Sequence, residues 1–304
     1  MSTTPLPTPP LQLLQRTGFL GPGASESSYD EIGAGGRELI HTMLPADWSW
    51  AGKRVLDFGC GVGKVLRHFS SEAAIAEFTG CDIHAPSVDW VQRHLCPPFH
   101  AFRCSEEPSL PQLDGYFDLI YAISVYTHLT DRWAEWLLEH HRVLAEDGLL
   151  LVSFLGEGMT RPLIGEEWDE DRIGMNSLWA GKPWDAGGPI TFHSPWWLRA
   201  HWGRAFEVVR ILPHTGNEVP EGHGLILLRR KAAQLSVEDL ERLEPGEERE
   251  IKALAHQTQQ LRRETSLLRA ENEKLRRSAW RRVTKPLRAA GKIVSSSDQV
   301  RGRG

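Results

Sequence analysis

One stretch constrains this chain more than any other: Val55-Leu56-Asp57-Phe58-Gly59-Cys60-Gly61-Val62-Gly63-Lys64. An apolar run ends in an acid, three glycines alternate, and apolar residues recur at Val65, Leu66 and Phe69. The pattern predicts a buried parallel strand, a tight turn and the start of a helix. Glycine adopts backbone angles that other residues avoid, and it lets a ligand lie against bare backbone. A helix start adds N–H groups that have no partner inside the helix. Two phosphate-binding patterns fail on spacing. A dinucleotide fingerprint needs glycine where Lys64 stands, and a Walker loop needs Ser or Thr where Val65 stands.

A second acid follows one strand later. Glu77-Phe78-Thr79-Gly80-Cys81-Asp82 reads as a strand that again ends in a carboxylate. In a βαβ unit this places Asp82 at the neighbouring strand's carboxyl edge, where it can accept both hydroxyls of a ribose. The competing role is a cap for the helix opening near Pro86. Phe99–Cys104, Phe117–Ile123 and Leu149–Leu155 read as three more strands, and Phe206–Pro213 and Gly224–Arg230 as the last two. Arg132–Ala145 carries a helical apolar stripe, broken by Asp147-Gly148. The order predicts an α/β fold: a Rossmann-like, seven-stranded, mostly parallel sheet with helices on both faces and one antiparallel hairpin.

Asp57-x-Gly59-x-Gly61-x-Gly63 resembles motif I of the class I S-adenosylmethionine (SAM) methyltransferases, and the resemblance extends over about residues 29–231. Ser124-Val125-Tyr126-Thr127-His128-Leu129 is similar to the methyltransferase-11/12-like branch. So is Arg142-Val143-Leu144 followed by Asp147-Gly148, with Glu-Asp where that branch has x-Pro-Gly. The resemblance implies SAM as cofactor, held by Asp57, Gly59, Cys60, Gly61, Gly63 and Ala122. Asp82 would bind the ribose, Ile83 and Ser105 would lie beside adenine, and Tyr29 with Gly33 would close over the methionine end.

Methyl transfer from a sulfonium is an in-line displacement that needs donor and nucleophile aligned at about 3–3.5 Å. A hydroxyl acceptor also needs a base. His128 and His193 are the leading candidates, ahead of His201 and Asp169. Strand four is not followed by the Asn/Asp-Pro-Pro-aromatic or Pro-Cys sequences of amino- and cytosine-methylating enzymes, which leaves an oxygen acceptor favoured. Residues 156–203 form an insertion holding six of the chain's 12 tryptophans: Trp168, Trp179, Trp184, Trp196, Trp197 and Trp202. Indole faces stack on sugars and indole N–H groups bond hydroxyls, so a glycan or glycolipid acceptor is expected. At least half of these tryptophans are expected to be core.

Leu254, Leu261, Leu268 and Leu275 recur as a heptad, with Asn272 at an a position. Glu264–Arg269 and Glu271–Arg276 pair across g and e, as in a parallel homodimer. Beyond it, Ser278-Ala279-Trp280-Arg281-Arg282-Val283-Thr284-Lys285-Pro286-Leu287-Arg288 resembles the ends of coiled-coil extensions in bacterial polysaccharide-biosynthesis proteins. Clustered Arg and Lys around Trp280 suit an anionic membrane surface. Nucleic acid is the competing partner for a basic run, but the net charge of −5 gives no general argument for it, and it ranks lower because the catalytic domain is acidic overall. The four cysteines show no metal or disulfide spacing, no leader is evident, and no apolar run is long enough to cross a bilayer, so a cytoplasmic protein, peripheral at the inner membrane face, is expected.

The expected organisation is a mobile tail over 1–28, a methyltransferase domain over 29–232, a helical coiled-coil extension over 233–285 and a basic flexible tail over 286–304. The expected activity is O-methylation of a sugar hydroxyl on a surface glycan or glycolipid. The rivals are a methyltransferase of a small secondary metabolite or lipid, and a non-catalytic scaffold of a glycosyltransferase complex.

Overall fold

A computed structural model describes residues 6–14, 26–182, 188–216 and 219–298, with backbone alone for 26–27 and 278–298. Seven strands form one sheet: β1 (Arg54–Phe58), β2 (Glu77–Asp82), β3 (His100–Arg103), β4 (Phe117–Ala122), β5 (Leu144–Phe154), β8 (Phe206–Leu212) and β9 (Gly224–Arg230). Their order is β3-β2-β1-β4-β5-β9-β8. Only β9 runs antiparallel to its neighbours. The chain leaves β1 for β2 on one side and later returns as β4 on the other. That reversal opens a crevice at the carboxyl ends of β1 and β4.

Alternation along each strand builds one core on each face. Leu56, Ile120, Leu150, Val152 and Ile226 pack toward α4 (Trp133–Val143) and α6 (Pro195–His201). Val55, Leu119, Tyr121, Leu151 and Leu227 pack toward α2 (Glu26–Met43) and α3 (Ala85–His94). The seven-stranded α/β expectation therefore holds.

Three local expectations differ. The helix expected after the glycines is a run of turns and a 3-10 helix, Leu66–Phe69. The Ser70 hydroxyl donates to the Arg67 carbonyl at 2.8 Å, an alternative partner that stops the helix early. Helix α4 passes straight into β5 at Leu144, so Asp147-Gly148 lies within an irregular strand instead of separating the two. Among its described residues the insertion holds α5 (Glu157–Ile164), a hairpin of β6 (Met175–Leu178) and β7 (Ile190–His193), then α6. Within the expected mobile tail, α1 (Leu11–Leu14) buries Leu14, and the carbonyls of Leu6 and Pro7 accept from the Arg67 guanidinium.

The chain divides into residues up to 256 and residues from 257. The first unit includes α7 (Val237–Glu241) and the start of α8 (Arg249–Asp298). Leu240 and Ala253 enter the core that holds Trp196 and Trp197. His201 Nδ1 donates to the Leu240 carbonyl at 2.7 Å, and its Nε2 lies 2.7 Å from Glu250 Oε1, both side chains being buried. The segment 233–256 is thus bound to the domain, and α8 runs past residue 286, where a flexible tail was expected. The last residues of that tail, 299–304, lie outside the described residues, as does Trp184. The same holds for every side chain of the Ser278–Arg288 tract. Among the described residues, no helix is long and apolar enough to cross a membrane.

A chain ending after residue 256 is expected to melt like the full chain, whereas one ending after 232 loses its Leu240 packing. Removing one fully buried leucine side chain costs about 2–5 kcal/mol. The contacts of His201 with the Leu240 carbonyl and Glu250 are lost with it. Denaturant unfolding of the two truncations checks this.

Candidate functional site

The glycine loop is fastened from three sides. Gly59 N–H and Cys60 N–H both donate to the Cys81 carbonyl, at 2.8 and 2.9 Å. Gly59 has φ +77°, and a Cβ there would come within 2.3 Å of Val125 Cγ2. Only glycine satisfies both demands. On the outer side, the buried Tyr29 hydroxyl donates to the Val62 carbonyl at 3.0 Å, and burial pushes its pKa up to about 12. A Cβ on Gly33 would meet the Lys64 carbonyl at 2.1 Å, so α2 lies directly on the loop.

Two acids differ sharply in their surroundings. Asp82 is half-buried, with Oδ2 accepting from Gly61 N–H at 2.8 Å and Oδ1 from His84 N–H at 2.8 Å. Each oxygen keeps a further lone pair for a ligand hydroxyl. Asp82 does not cap α3, whose N-cap residue is His84; its carboxylate is held instead by backbone donors of the glycine loop and of His84. Asp57 is buried, and its Oδ2 has no hydrogen-bond partner among the described residues. Burial pushes its pKa up to about 8; the neighbouring Tyr121 hydroxyl draws it back without completing a hydrogen bond, and the Asp82 charge raises it. An orphaned carboxyl behind a glycine cradle fits a ligand that carries positive charge.

The other expected cofactor residues spread around this centre. Ile83 is half-buried against the core, and Ala122 is buried at the end of β4. Cys60 is buried, and its thiol is pushed well above the ordinary value by burial. Ser105 is exposed on the flank after β3, its hydroxyl accepting from Glu107 N–H at 3.0 Å.

The insertion hairpin is joined to the same sheet edge. Thr191 N–H donates to the Thr127 carbonyl at 2.7 Å, and His193 N–H to the Leu155 carbonyl at 2.8 Å. This brings the loop after β4 beside β7. His128 is half-buried there, with Nδ1 2.8 Å from the Pro189 carbonyl. A carbonyl only accepts, so Nδ1 carries the proton and Nε2 presents a lone pair. Burial lowers the pKa of His128, which keeps that lone pair available at neutral pH.

His193 is placed differently. It is 0% exposed, both ring nitrogens lack partners among the described residues, and its ring lies 5.5 Å from Trp197 and 5.7 Å from Trp202. Burial lowers its pKa to about 3. It packs as an aromatic core residue, unlike the base expected from its place after Thr191-Phe192. Trp196, Trp197 and Trp202 are buried too, leaving Trp168 and Trp179 as the half-buried indoles among those described.

One residue was missed from the sequence. His223, ahead of β9, has Nδ1 3.2 Å from Ser153 Oγ at the end of β5. Its only advance signal was the Gly222-His223-Gly224 sequence at a strand entrance.

With this geometry in hand, comparison with known proteins is direct. Residues 56–152 match the family model described as a methyltransferase domain. One relative, a phthiotriol/phenolphthiotriol dimycocerosates methyltransferase of Mycobacterium ulcerans, is 28% identical over 152 residues, 50% of this chain and 52% of its own length. Another, a fatty-acid O-methyltransferase of Mycolicibacterium smegmatis, is 30% identical over 132 residues, 43% of this chain and 47% of its own length. The chain spans about half the length of these curated relatives. Among solved structures, an S-adenosylmethionine-dependent methyltransferase from Mesorhizobium loti aligns at 18% identity and a TM-score of 0.49, covering 64% of this chain and 96% of that one.

Asp57 yields a pH prediction. Its folded pKa lies above the ordinary 3.8, so the folded chain binds the extra proton. This contribution to stability falls as pH rises from about 4 through 8, by at most about 1.4 kcal/mol per unit. Asp57→Asn is expected to flatten that slope in denaturant unfolding at pH 5, 7 and 8.5.

Proposed function

We propose that this chain is a SAM-dependent O-methyltransferase. S-adenosylmethionine is the methyl donor. The Gly59–Gly63 loop holds its methionine part, with Asp57 behind the loop. Asp82 accepts the ribose hydroxyls, and Ile83 with Ser105 flanks the adenine. Ala122 closes the floor, and Tyr29 acts through the loop it supports. The observation that carries this reading is the half-buried Asp82 carboxylate against the Gly61 N–H, at the switch-point crevice. The match of residues 56–152 to a methyltransferase domain supports it.

His128 takes the acceptor's proton. Its Nε2 lone pair lies at the same sheet edge, and the insertion hairpin provides the acceptor's wall. The acceptor is a hydroxyl of a glycan or glycolipid intermediate. A second reading, a hydroxyl or carboxyl of a lipid or secondary metabolite, is favoured by two observations. The two relatives are named for lipid substrates, and three of the insertion's tryptophans are buried where they cannot stack on a sugar.

The second copy of the chain is the partner of α8. Leu261, Leu268 and Leu275 stand 41, 51 and 60% exposed along it, the stripe a parallel coil would cover. The basic end meets an anionic membrane surface.

Calorimetric titration with S-adenosylhomocysteine tests the cofactor site. Micromolar binding by the wild type and loss of at least about tenfold in Asp82→Ala, the equivalent of one charge-assisted hydrogen bond, are expected. No binding by the folded wild type would sink the reading. Ending the chain after residue 256 is expected to turn a dimer into a monomer in light scattering, with cofactor affinity unchanged.

A further inference from the structure

Within the sheet, the residue beside Asp57 that can hydrogen-bond to it is Tyr121. The two are direct partners in the parallel ladder of β1 and β4. Directly paired residues on strands about 4.8 Å apart project from the same face. It is the face packed by α2 and α3, because side chains alternate along β1 and both Val55 and Tyr121 belong to that core. On its other side Asp57 pairs with Gly80, which has no side chain. A Cβ there would lie 2.8 Å from Cys60 Sγ and 3.1 Å from Leu66 Cδ2, so a thiol and an apolar side chain fill that flank. Tyr121 in turn pairs with the apolar Leu151 of β5, and its ring lies 5.7 Å from that of Phe69.

Both polar groups are incomplete. Asp57 is 4% exposed and Tyr121 0%, yet Asp57 Oδ2 and the Tyr121 hydroxyl each lack a hydrogen-bond partner among the described residues. A buried hydroxyl without a partner lowers stability, and a phenylalanine ring would fill the same space without that cost. A buried carboxyl without a paired cation is held neutral. Burial favours the neutral form of Asp57 and outweighs the pull of the Tyr121 hydroxyl. The Asp82 charge adds to burial, and the Leu66 N–H and the Lys64 ammonium oppose it less. The Cys60 thiol is itself kept neutral by burial. What would complete the two oxygens is a cation that donates hydrogen bonds. The Gly59–Gly63 loop begins just after Asp57, so the pair belongs to the methionine end of the proposed cofactor site.

We propose that Tyr121 positions Asp57 for the cofactor's α-ammonium, through a hydrogen bond completed when the ammonium binds, and that Asp57 then gives up a proton to solvent. This rests on the methyltransferase reading above and deepens its cofactor site. Asp57 accepts from the ammonium and ionises. The carboxylic proton passes to the buffer, so the positive charge entering the site is balanced by the negative charge left on oxygen. The Tyr121 hydroxyl donates to the carboxylate so formed. Tyr121 touches none of the reacting atoms and acts through Asp57.

The test is calorimetric titration of the full-length protein in phosphate and in Tris, whose ionisation enthalpies differ. At pH 7 the wild type is expected to release about one proton per S-adenosylhomocysteine bound. The release is expected to fall as the pH is raised past about 8, the value to which burial brings Asp57. Asp57→Asn should abolish it. 5′-Methylthioadenosine, which lacks the amino-acid part, should bind without releasing a proton. Tyr121→Phe should weaken S-adenosylhomocysteine at least about tenfold, the equivalent of one hydrogen bond to a charged group, and leave 5′-methylthioadenosine unchanged. It should also melt no lower than the wild type, since the hydroxyl it removes has no partner in the free protein. No proton release by the wild type at pH 7, or equal weakening of both ligands by Tyr121→Phe, overturns the proposal. Failure of the wild type to bind either ligand would instead overturn the cofactor reading. The state of Asp57 stays readable without a ligand, from carbon-13 spectra of aspartate-labelled protein set against Asp57→Asn, and a carboxyl already ionised at pH 6 overturns the proton release.

Discussion

The structure depends on how the end of β2 holds the loop after β1. One carbonyl, that of Cys81, takes two successive N–H groups, and the carboxylate one residue later takes a third from Gly61. These bonds satisfy backbone donors that the sharp turn strips from regular structure. They also bend the loop back toward β2, which leaves the crevice between β1 and β4 open. Without them the glycines would be free to collapse into it, because glycine carries no side chain to prop the chain. The carboxylate oxygens of Asp82 are therefore placed by the same contacts that shape the cradle.

Much of this was legible in the residues. Strand ends marked by Asp57 and Asp82 fixed where β1 and β2 stop, and apolar runs without alternation marked strands covered on both faces. The helix after Gly63 was not legible, because Val65, Leu66 and Phe69 satisfy a helical stripe for too few residues to outweigh Ser70. Nor was the docking of residues 233–256. Leu240 and Ala253 are ordinary residues in a charged stretch, and their burial depends on Trp196 and Trp197, which are distant in sequence.

The acceptor side was harder to read for a related reason. Histidines at His128, His193 and His223 look alike in the sequence, and they differ in what surrounds each ring. Pro189 fixes the tautomer of the first, an aromatic cage surrounds the second, and a serine orients the third. Each partner comes from a different element. The tryptophans illustrate the same point. Trp197 stacks on His201 at 4.3 Å and an 18° interplanar angle, and His201 in turn reaches Glu250. The indoles that seemed fit for a ligand are thereby committed to fastening α8.

That commitment bears on how the sheet end beside His128 is packed. The insertion follows β5 and returns as β7 along the Thr127 and Leu155 carbonyls, so it is hydrogen-bonded to the ends of the sheet instead of hanging above it. Behind it, Trp197 and Trp202 fill the space around His193. The hairpin meets His128 through the Pro189 carbonyl, and burial lowers the pKa of both His128 and His223. Neutral rings have directional lone pairs and donors, whereas imidazolium rings present donors alone. The packing of apolar residues far from the glycine loop therefore bears on which hydrogen-bonding pattern these rings present.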